Sequence, residues 1–158
     1  MPDMQAGWEQ MCSSVMAGLS GLNMVYEAAG MHASLLGFCH ESLILGDDLI
    51  GQSMRCVRGI EVNDETLALD QIADVCLNGP GHYLGTDQTL GRMQSDHVYP
   101  RLGDRTSPKE WVENSKPNLI QKATKIKEDI LSKPSEVAFD SVLDKTLREK
   151  YSIHLSMS

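Results

Sequence analysis

The stretch GLNMVYEAAGMHASLLGFCHESLILGDD, residues 21–48, decides the fold class that the sequence predicts. It holds two apolar runs, residues 22–26 and 35–38, and each leads directly into polar residues. Apolar runs of this length, bounded by glycine and short of basic residues, are typical of buried strands in a parallel sheet. We therefore expect two parallel strands here, while periodicity alone also fits a buried helix with a polar interruption.

The polar residues that follow these runs are the first candidates for function. Glu27 and His32 follow the first run, and His40 and Glu41 follow the second. In α/β proteins, ligands bind where the parallel strands end. The alternative for a histidine in an apolar stretch is a core position with satisfied hydrogen bonds. The alternative for Glu41 is capping of a helix N-terminus.

Length and composition indicate one globular domain. The chain has 158 residues, of which 41% are hydrophobic and 23% are charged, and its net charge is −8. This acidic balance argues against nucleic-acid binding, which depends on Lys and Arg that neutralise phosphates. The N-terminus lacks a basic region followed by an apolar core, and no apolar run is long enough to span a bilayer. We expect a soluble cytoplasmic protein that does not bind membranes.

The charges are unevenly distributed along the chain. Residues 1–100 contain 13 acidic side chains and only three basic ones, Arg55, Arg58 and Arg92. Residues 101–158 contain 9 acidic and 11 basic side chains, and the first lysine is Lys109. Because solvated lysines mark exposed surface, we expect residues 1–100 to be largely covered, by one another or by a missing partner. The lysine-rich part is expected to form an outer, solvated layer.

The cysteines and histidines do not predict a metal site. The four cysteines have no CxxC spacing and lie among apolar residues, which favours reduced thiols over disulfides or a zinc knuckle. Potential ligand types cluster at residues 32–41, but their spacing matches no zinc pattern. His40 and Glu41 are adjacent and would diverge on a strand.

Capping signals predict a series of helices. Asp3, Asn63, Thr86 and Ser107 are N-cap candidates, and we expect helices at about residues 3–18, 43–57, 63–76, 86–93, 117–131 and 140–151. The glycine-rich loop at residues 78–85 matches neither common phosphate-binding pattern. We interpret it as a tight turn that positions His82 and Tyr83, with a phosphate site as the weaker reading.

Five blocks between residues 23 and 111 carry a family resemblance by their order and spacing. They are NMVYEAAGM, CHESLILGDDLIG, RGIEVNDETLALDQI, GPGHYLGTDQTL and YPRLGDRTSPKEW. Together they resemble the C-terminal part of the trimethylamine methyltransferase family, which includes enzymes acting on quaternary amines such as glycine betaine. The resemblance implies a (β/α)8 TIM barrel in which a methyl group passes from a methylated amine to the cobalt of a separate corrinoid protein.

The resemblance also implies an organisation for this chain. Residues 1–103 would be the last βα units of the barrel, and residues 104–158 would be extra C-terminal helices packed on it in one structural unit. The fold class is thus helix-rich α/β. The corrinoid belongs to the partner protein, so we expect this chain to bind no cofactor directly. Because a partial barrel leaves apolar faces and strand edges uncovered, we also expect a homo-oligomer.

Site residues follow from the resemblance and from the chemistry of a methylated ammonium, which aromatic faces and carboxylates bind. His32 and Glu41 are expected to face the substrate pocket, with Tyr26 and Glu27 as weaker candidates. His82 and Tyr83 would line the barrel mouth or brace their loop. No catalytic residue is assigned. The alternative function is a non-catalytic helical binding or assembly module derived from the same barrel.

Overall fold

The computed structural model describes residues 2–133 and 140–154, and they form a helix-rich structure with one small hairpin. The helices, in chain order, are α1 (Met4–Leu19), α2 (His40–Arg58), α3 (Asp64–Leu67), α4 (Leu69–Ala73), α5 (Asp87–Arg92), α6 (Pro108–Glu113), α7 (Leu119–Leu131) and α8 (Ser141–Lys150). Strands β1 (Met31–His32) and β2 (Gly37–Phe38) lie between α1 and α2, and a π-helical turn, Asp74–Asn78, follows α4. No helix in this described part is long and apolar enough to cross a membrane.

Local capping chemistry fixes most helix starts, as the sequence predicts. The Asp3 carboxylate accepts a hydrogen bond from the Ala6 amide at the start of α1. Asn63, Ser107 and Asn118 each form a capping box with the residue three positions later. Such side chains satisfy backbone N–H groups that have no partner within the helix. The predicted helix starts at these positions are confirmed to within about two residues.

The predicted single helix at residues 63–76 is wrong in detail. Ala68 adopts a left-handed conformation, with φ of 50°, and separates α3 from α4. The chain then continues into the π-helical turn, in which Val75 is buried. A left-handed residue cannot continue a right-handed helix, so the segment forms short pieces instead.

The two expected parallel strands are also wrong. Residues 22–26 form no strand, and residues 35 and 36 lie in the turn of a hairpin. Strand β2 pairs with β1 in the antiparallel direction, with Met31 opposite Phe38 and His32 opposite Gly37. A parallel strand needs neighbouring strands and helices on both faces of the sheet. The described residues offer no parallel partner strand for these runs, so only the local antiparallel hairpin forms.

Small residues lie in the contact between α1 and α2. The buried residues of α2 are Ser42, Gly46 and Ser53. A Cβ atom at Gly46 would lie 2.5 Å from the Cβ of Ala29 and 2.6 Å from Nε2 of Gln10. Small residues at this contact let the two helices approach each other closely.

Helix α7 packs on α2, and one connecting segment is held between them. The Asp48 carboxylate accepts hydrogen bonds from the amides of Arg101, at 2.8 Å, and Leu102, at 3.4 Å. Lys122 of α7 donates to the carbonyl of Leu102 at 3.3 Å. Leu102 and Ala123 are buried here. The predicted extension at residues 104–158 includes residues 134–139 and 155–158, which lie outside the described part.

The chain covers little of its apolar surface. Its accessible surface is 12686 Å², whereas a folded monomer of this length exposes about 7,900 Å². Large side chains along α1 are exposed, including Met4, Trp8, Met16 and Leu19. The expectation that residues 1–100 cover one another is therefore wrong for the isolated chain. Exposed apolar surface of this extent is unusual for a folded monomer.

Candidate functional site

A cavity of about 520 Å³ lies between α1 and residues 25–35, and we call it the loop cavity. Tyr26, Glu27 and His32 all line it, and α1 contributes Glu9 and Gln10 to the opposite wall. The Gln10 side chain donates a 2.6 Å hydrogen bond to the carbonyl of Ala28, which fixes the loop against the helix. The structure thus brings together three of the four residues predicted to face the substrate.

The backbone around the loop cavity is strained. Glu27, Ala33, Ser34 and Leu35 have φ between 51° and 70°, and all four line the cavity. Side chains other than glycine occupy this left-handed region at a cost of about 1–2 kcal/mol each. Such residues cluster at binding sites, where the surrounding structure holds them in place. The left-handed residues in its wall make the loop cavity a candidate binding site.

His32 also connects the loop cavity to a second one. Its Nε2 is hydrogen-bonded to Oγ of Ser42 at 2.6 Å, and Ser42 is buried in the first turn of α2. Both residues line an apolar cavity of about 800 Å³ between α1, α2 and the start of α7. The His32 ring is therefore held by Ser42 and faces two cavities.

Glu41 has a different environment from the other predicted pocket residues. Its carboxylate forms a 2.6 Å ion pair with Lys127 of α7 and accepts a longer hydrogen bond from Cys39. The hydrogen bond from Lys127 is the main cause that lowers the pKa of Glu41 to about 2, followed by hydrogen bonding to its own backbone amide. Glu41 lines neither cavity, and its ion pair joins α2 to α7.

His40 begins α2 rather than ending a strand. Its ring lies 5.1 Å from the ring of Phe38, in an edge-to-face arrangement. This contact packs the hairpin on the first turn of α2.

His82 and Tyr83 lie elsewhere. Both are exposed in the loop before α5, and neither lines the loop cavity or the apolar cavity. The Tyr83 hydroxyl lies 3.5 Å from Sγ of Cys76, and this hydrogen bond is the main cause that raises the pKa of Tyr83. The Thr89 hydroxyl donates to the carbonyl of Tyr83, so the contacts of this loop are with the adjoining helix.

Sequence reasoning missed Glu9, Ser42 and Lys127. Glu9 could have been found, because it is the one charged residue within α1. Ser42 and Lys127 gave no such signal, since their roles arise only when distant segments meet. Within residues 2–133 and 140–154, no three or more His, Cys, Asp or Glu side chains are arranged to hold a metal ion.

Comparison with known proteins places these features in a family. The family model for trimethylamine methyltransferase matches residues 1–153. The chain belongs to the trimethylamine methyltransferase family. It is 33% identical over 132 residues to a trimethylamine methyltransferase of Methanosarcina mazei, a match that covers 83% of this chain and 26% of that protein.

Two other relatives show the same partial coverage. A trimethylamine methyltransferase of Methanosarcina barkeri is 30% identical over 149 residues, covering 94% of this chain and 29% of the relative. A glycine betaine methyltransferase of Desulfitobacterium hafniense is 29% identical over 147 residues, covering 92% of this chain and 30% of the relative. The chain thus spans less than one third of the length of these relatives.

Proposed function

We propose that this chain acts as the C-terminal part of a methyltransferase that moves a methyl group from trimethylamine, or a related tertiary or quaternary amine, to the cobalt of a corrinoid protein. Membership of the family and the names of the relatives support the reaction class. The observation that carries the assignment of a site is the convergence of Tyr26, Glu27 and His32 on the loop cavity.

The loop cavity has the chemistry that a methylated ammonium requires. Tyr26 offers an aromatic face, and Glu27 and Glu9 offer carboxylates on two sides of the cavity. A cation over an aromatic face is stabilised by about 0.5–2 kcal/mol, depending on how far it is desolvated. A nearby carboxylate adds direct charge attraction. Tyr26 is 79% exposed in the isolated chain, so its contribution depends on a covering surface.

The role of these residues in methyl transfer is to bind and orient. The corrinoid, held by the partner protein, supplies the cobalt that accepts the methyl group. The residues of this chain hold the ammonium so that one methyl faces that partner, and the amine nitrogen keeps the electron pair of the broken carbon–nitrogen bond. Orientation of this kind accounts for a large share of catalysis when the protein performs no covalent step. His32, braced by Ser42, fixes the wall of the cavity.

We further propose that the chain contributes the last units of a (β/α)8 barrel and works as a homo-oligomer. The uncovered apolar surface and the partial coverage of the relatives support both statements. The alternative function, a non-catalytic assembly module, is favoured by the same surface. On either view we expect little methyl transfer by this chain alone.

A binding titration tests the proposed site. Tetramethylammonium, trimethylammonium and glycine betaine are titrated into the protein while the amide signals of residues 26–35 are followed by NMR. We expect saturable shifts there, weakened about 5-fold or more by Tyr26→Ala or Glu27→Gln, since loss of either contact costs about 1 kcal/mol. Glu113→Gln, which removes an exposed carboxylate on α6, is the matched control and should change nothing.

A second measurement separates enzyme from assembly module. Methyl transfer from each amine to a corrinoid protein is followed with this chain alone and with an upstream barrel portion added in trans. Activity that appears only on addition supports the methyltransferase proposal. Amine titrations without saturable shifts at residues 26–35, together with no activity in either arrangement, would leave the assembly function.

A further inference from the structure

The basic side chains of the first hundred residues converge on one cavity. Arg55 and Arg58 come from the last turn of α2, and Arg92 is the last residue of α5. These three are the complete set of basic residues in the first hundred, and all of them line one cavity of about 780 Å³. In a chain of net charge −8, this concentration of positive charge calls for a physical reason.

Part of that reason is structural. Arg55 donates to the carbonyls of Asp96, at 2.9 Å, and Gly59, at 2.6 Å, and Arg58 donates to the carbonyl of Ser95 at 2.6 Å. These bonds hold the end of α5 against the end of α2, and cations at a helix C-terminus also interact favourably with its dipole. Arg92 is paired with Glu65 at 2.8 Å and with Asp96 at 3.4 Å.

The backbone contacts leave much of two guanidinium groups unused. A guanidinium carries five N–H donors, and the bonds above use two nitrogens of Arg55 and one of Arg58. Among the described residues, no carboxylate forms an ion pair with either side chain. Arg55 and Arg58 are three positions apart and therefore share one side of α2. Two charges with spare donors thus face one cavity.

The other residues that line the cavity limit the class of ligand that it can bind. Ile60, Val62 and Leu67 supply exposed apolar surface beside the arginines. Glu61 and Asp96 also line the cavity. The hydrogen bond from Ser95 is the main cause that lowers the pKa of Asp96, followed by the hydrogen bond and charge of Arg92 and then by the charge of Arg55. These carboxylates would repel a strongly charged polyanion. A small oxyanion with a short apolar body would meet the spare guanidinium donors and the aliphatic wall together.

We propose that this cavity, which we call the arginine cavity, binds a small organic oxyanion, a carboxylate or phosphate group on a short apolar body, through Arg55 and Arg58. The site is distinct from the proposed amine site. From Ser42 to Arg55, α2 rises about 20 Å, so the two sites lie toward opposite ends of one helix. The proposal goes beyond the proposed function and does not depend on it.

A titration with simple anions tests the arginine cavity. Propionate, inorganic phosphate and chloride are titrated at matched ionic strength, and the amide signals of residues 59–62 and 92–96 are followed by NMR. We expect saturable shifts in the millimolar range with propionate, phosphate or both, and only a weak linear response to chloride. Propionate alone would assign a carboxylate ligand, phosphate alone a phosphate ligand, and both together the shared oxyanion chemistry.

Three variants decide whether the arginines carry the binding. Arg58→Gln should weaken binding at least 5-fold, and Arg58→Lys should retain more of it because the charge is kept. Arg101→Gln is the matched control, since Arg101 is an exposed arginine paired with Asp47 outside this cavity. The proposal is overturned if propionate and phosphate shift these amides no more than chloride does. It is equally overturned if Arg58→Gln binds as the unmodified protein does.

Discussion

Replacing Trp8 by glutamate should weaken the self-association of this protein. The exposed apolar side chains Met4, Trp8 and Met16, with Cys12 between them, recur every four residues and form one ridge along α1. Ridges of this spacing interlock when two helices pack. A tryptophan side chain buries up to about 250 Å², and Trp8 is 56% exposed, so covering it removes about 140 Å² from water. At about 25 cal/mol per Å², covering this area contributes about 3.5 kcal/mol to the free energy of association. Loss of the tryptophan should therefore raise the Kd of self-association by at most a few hundred-fold.

Sedimentation and fluorescence measure this effect. In a Trp111→Phe background Trp8 is the single tryptophan, so its emission should shift to shorter wavelength as concentration rises and the ridge becomes covered. We expect Trp8→Glu to raise the dissociation constant at least 30-fold. Gln5→Glu adds the same charge to the same helix away from the ridge and should have a small effect. Monomeric sedimentation up to about 100 µM, or equal dissociation constants for Trp8→Glu and Gln5→Glu, would refute the reasoning.

Three further predictions concern stability. The pKa of Glu41 is about 2 in the folded protein and 4.5 ordinarily, so its stabilising effect is complete above pH 4.5 and disappears as the pH falls toward 2. The free energy of unfolding should therefore depend less steeply on pH between 4.5 and 2 in Glu41→Gln than in the unmodified protein. Leu102→Ala should lower the free energy of unfolding by about 2–5 kcal/mol, while Leu77→Ala at an exposed position should stay within about 0.5 kcal/mol in the same denaturant series. Ser34→Gly should raise the melting temperature by relieving left-handed strain, whereas Gly30→Ala should lower it, because Gly30 has φ of 83° and an added Cβ would lie 2.7 Å from Phe38.

The helix starts could be predicted from the sequence, and the strands could not. Asp3, Asn63 and Ser107 act on amides within three residues of themselves, so the information needed for a cap is local. A parallel strand depends on partner strands that are distant in sequence. Residues 22–26 and 35–38 have the composition of such strands, but the described residues provide no parallel partner for them, and residues 37–38 pair with β1 in the antiparallel direction. Composition therefore predicted strands without being able to reveal whether partner strands exist for them.

The part of the candidate site that is local in sequence could be predicted, and the part that depends on long-range contacts could not. Tyr26, Glu27 and His32 lie close in sequence, and the local loop brings them to one cavity. Glu41 was assigned to that cavity because it follows an apolar run, yet it pairs with Lys127, 86 positions away in the sequence. Sequence patterns do not reveal such a long-range partner. The same limit applies to the arginine cavity, where α5 brings Arg92 to the end of α2.

The amine site and the uncovered surface are energetically linked. The hairpin beside the loop cavity has only two residue pairs, and an isolated two-stranded hairpin is marginally stable in water. The left-handed residues of its loop add strain, so covering the neighbouring apolar surface with other protein should stabilise the shaped cavity. If self-association stabilises the shaped cavity, it strengthens ligand binding. By thermodynamic linkage, a bound ligand then strengthens self-association by the same factor. Tetramethylammonium should therefore lower the dissociation constant of self-association, and Glu27→Gln should reduce this coupling while leaving association without ligand unchanged. Equal dissociation constants with and without the ammonium, under conditions in which it binds, would show that the cavity is already formed in the monomer.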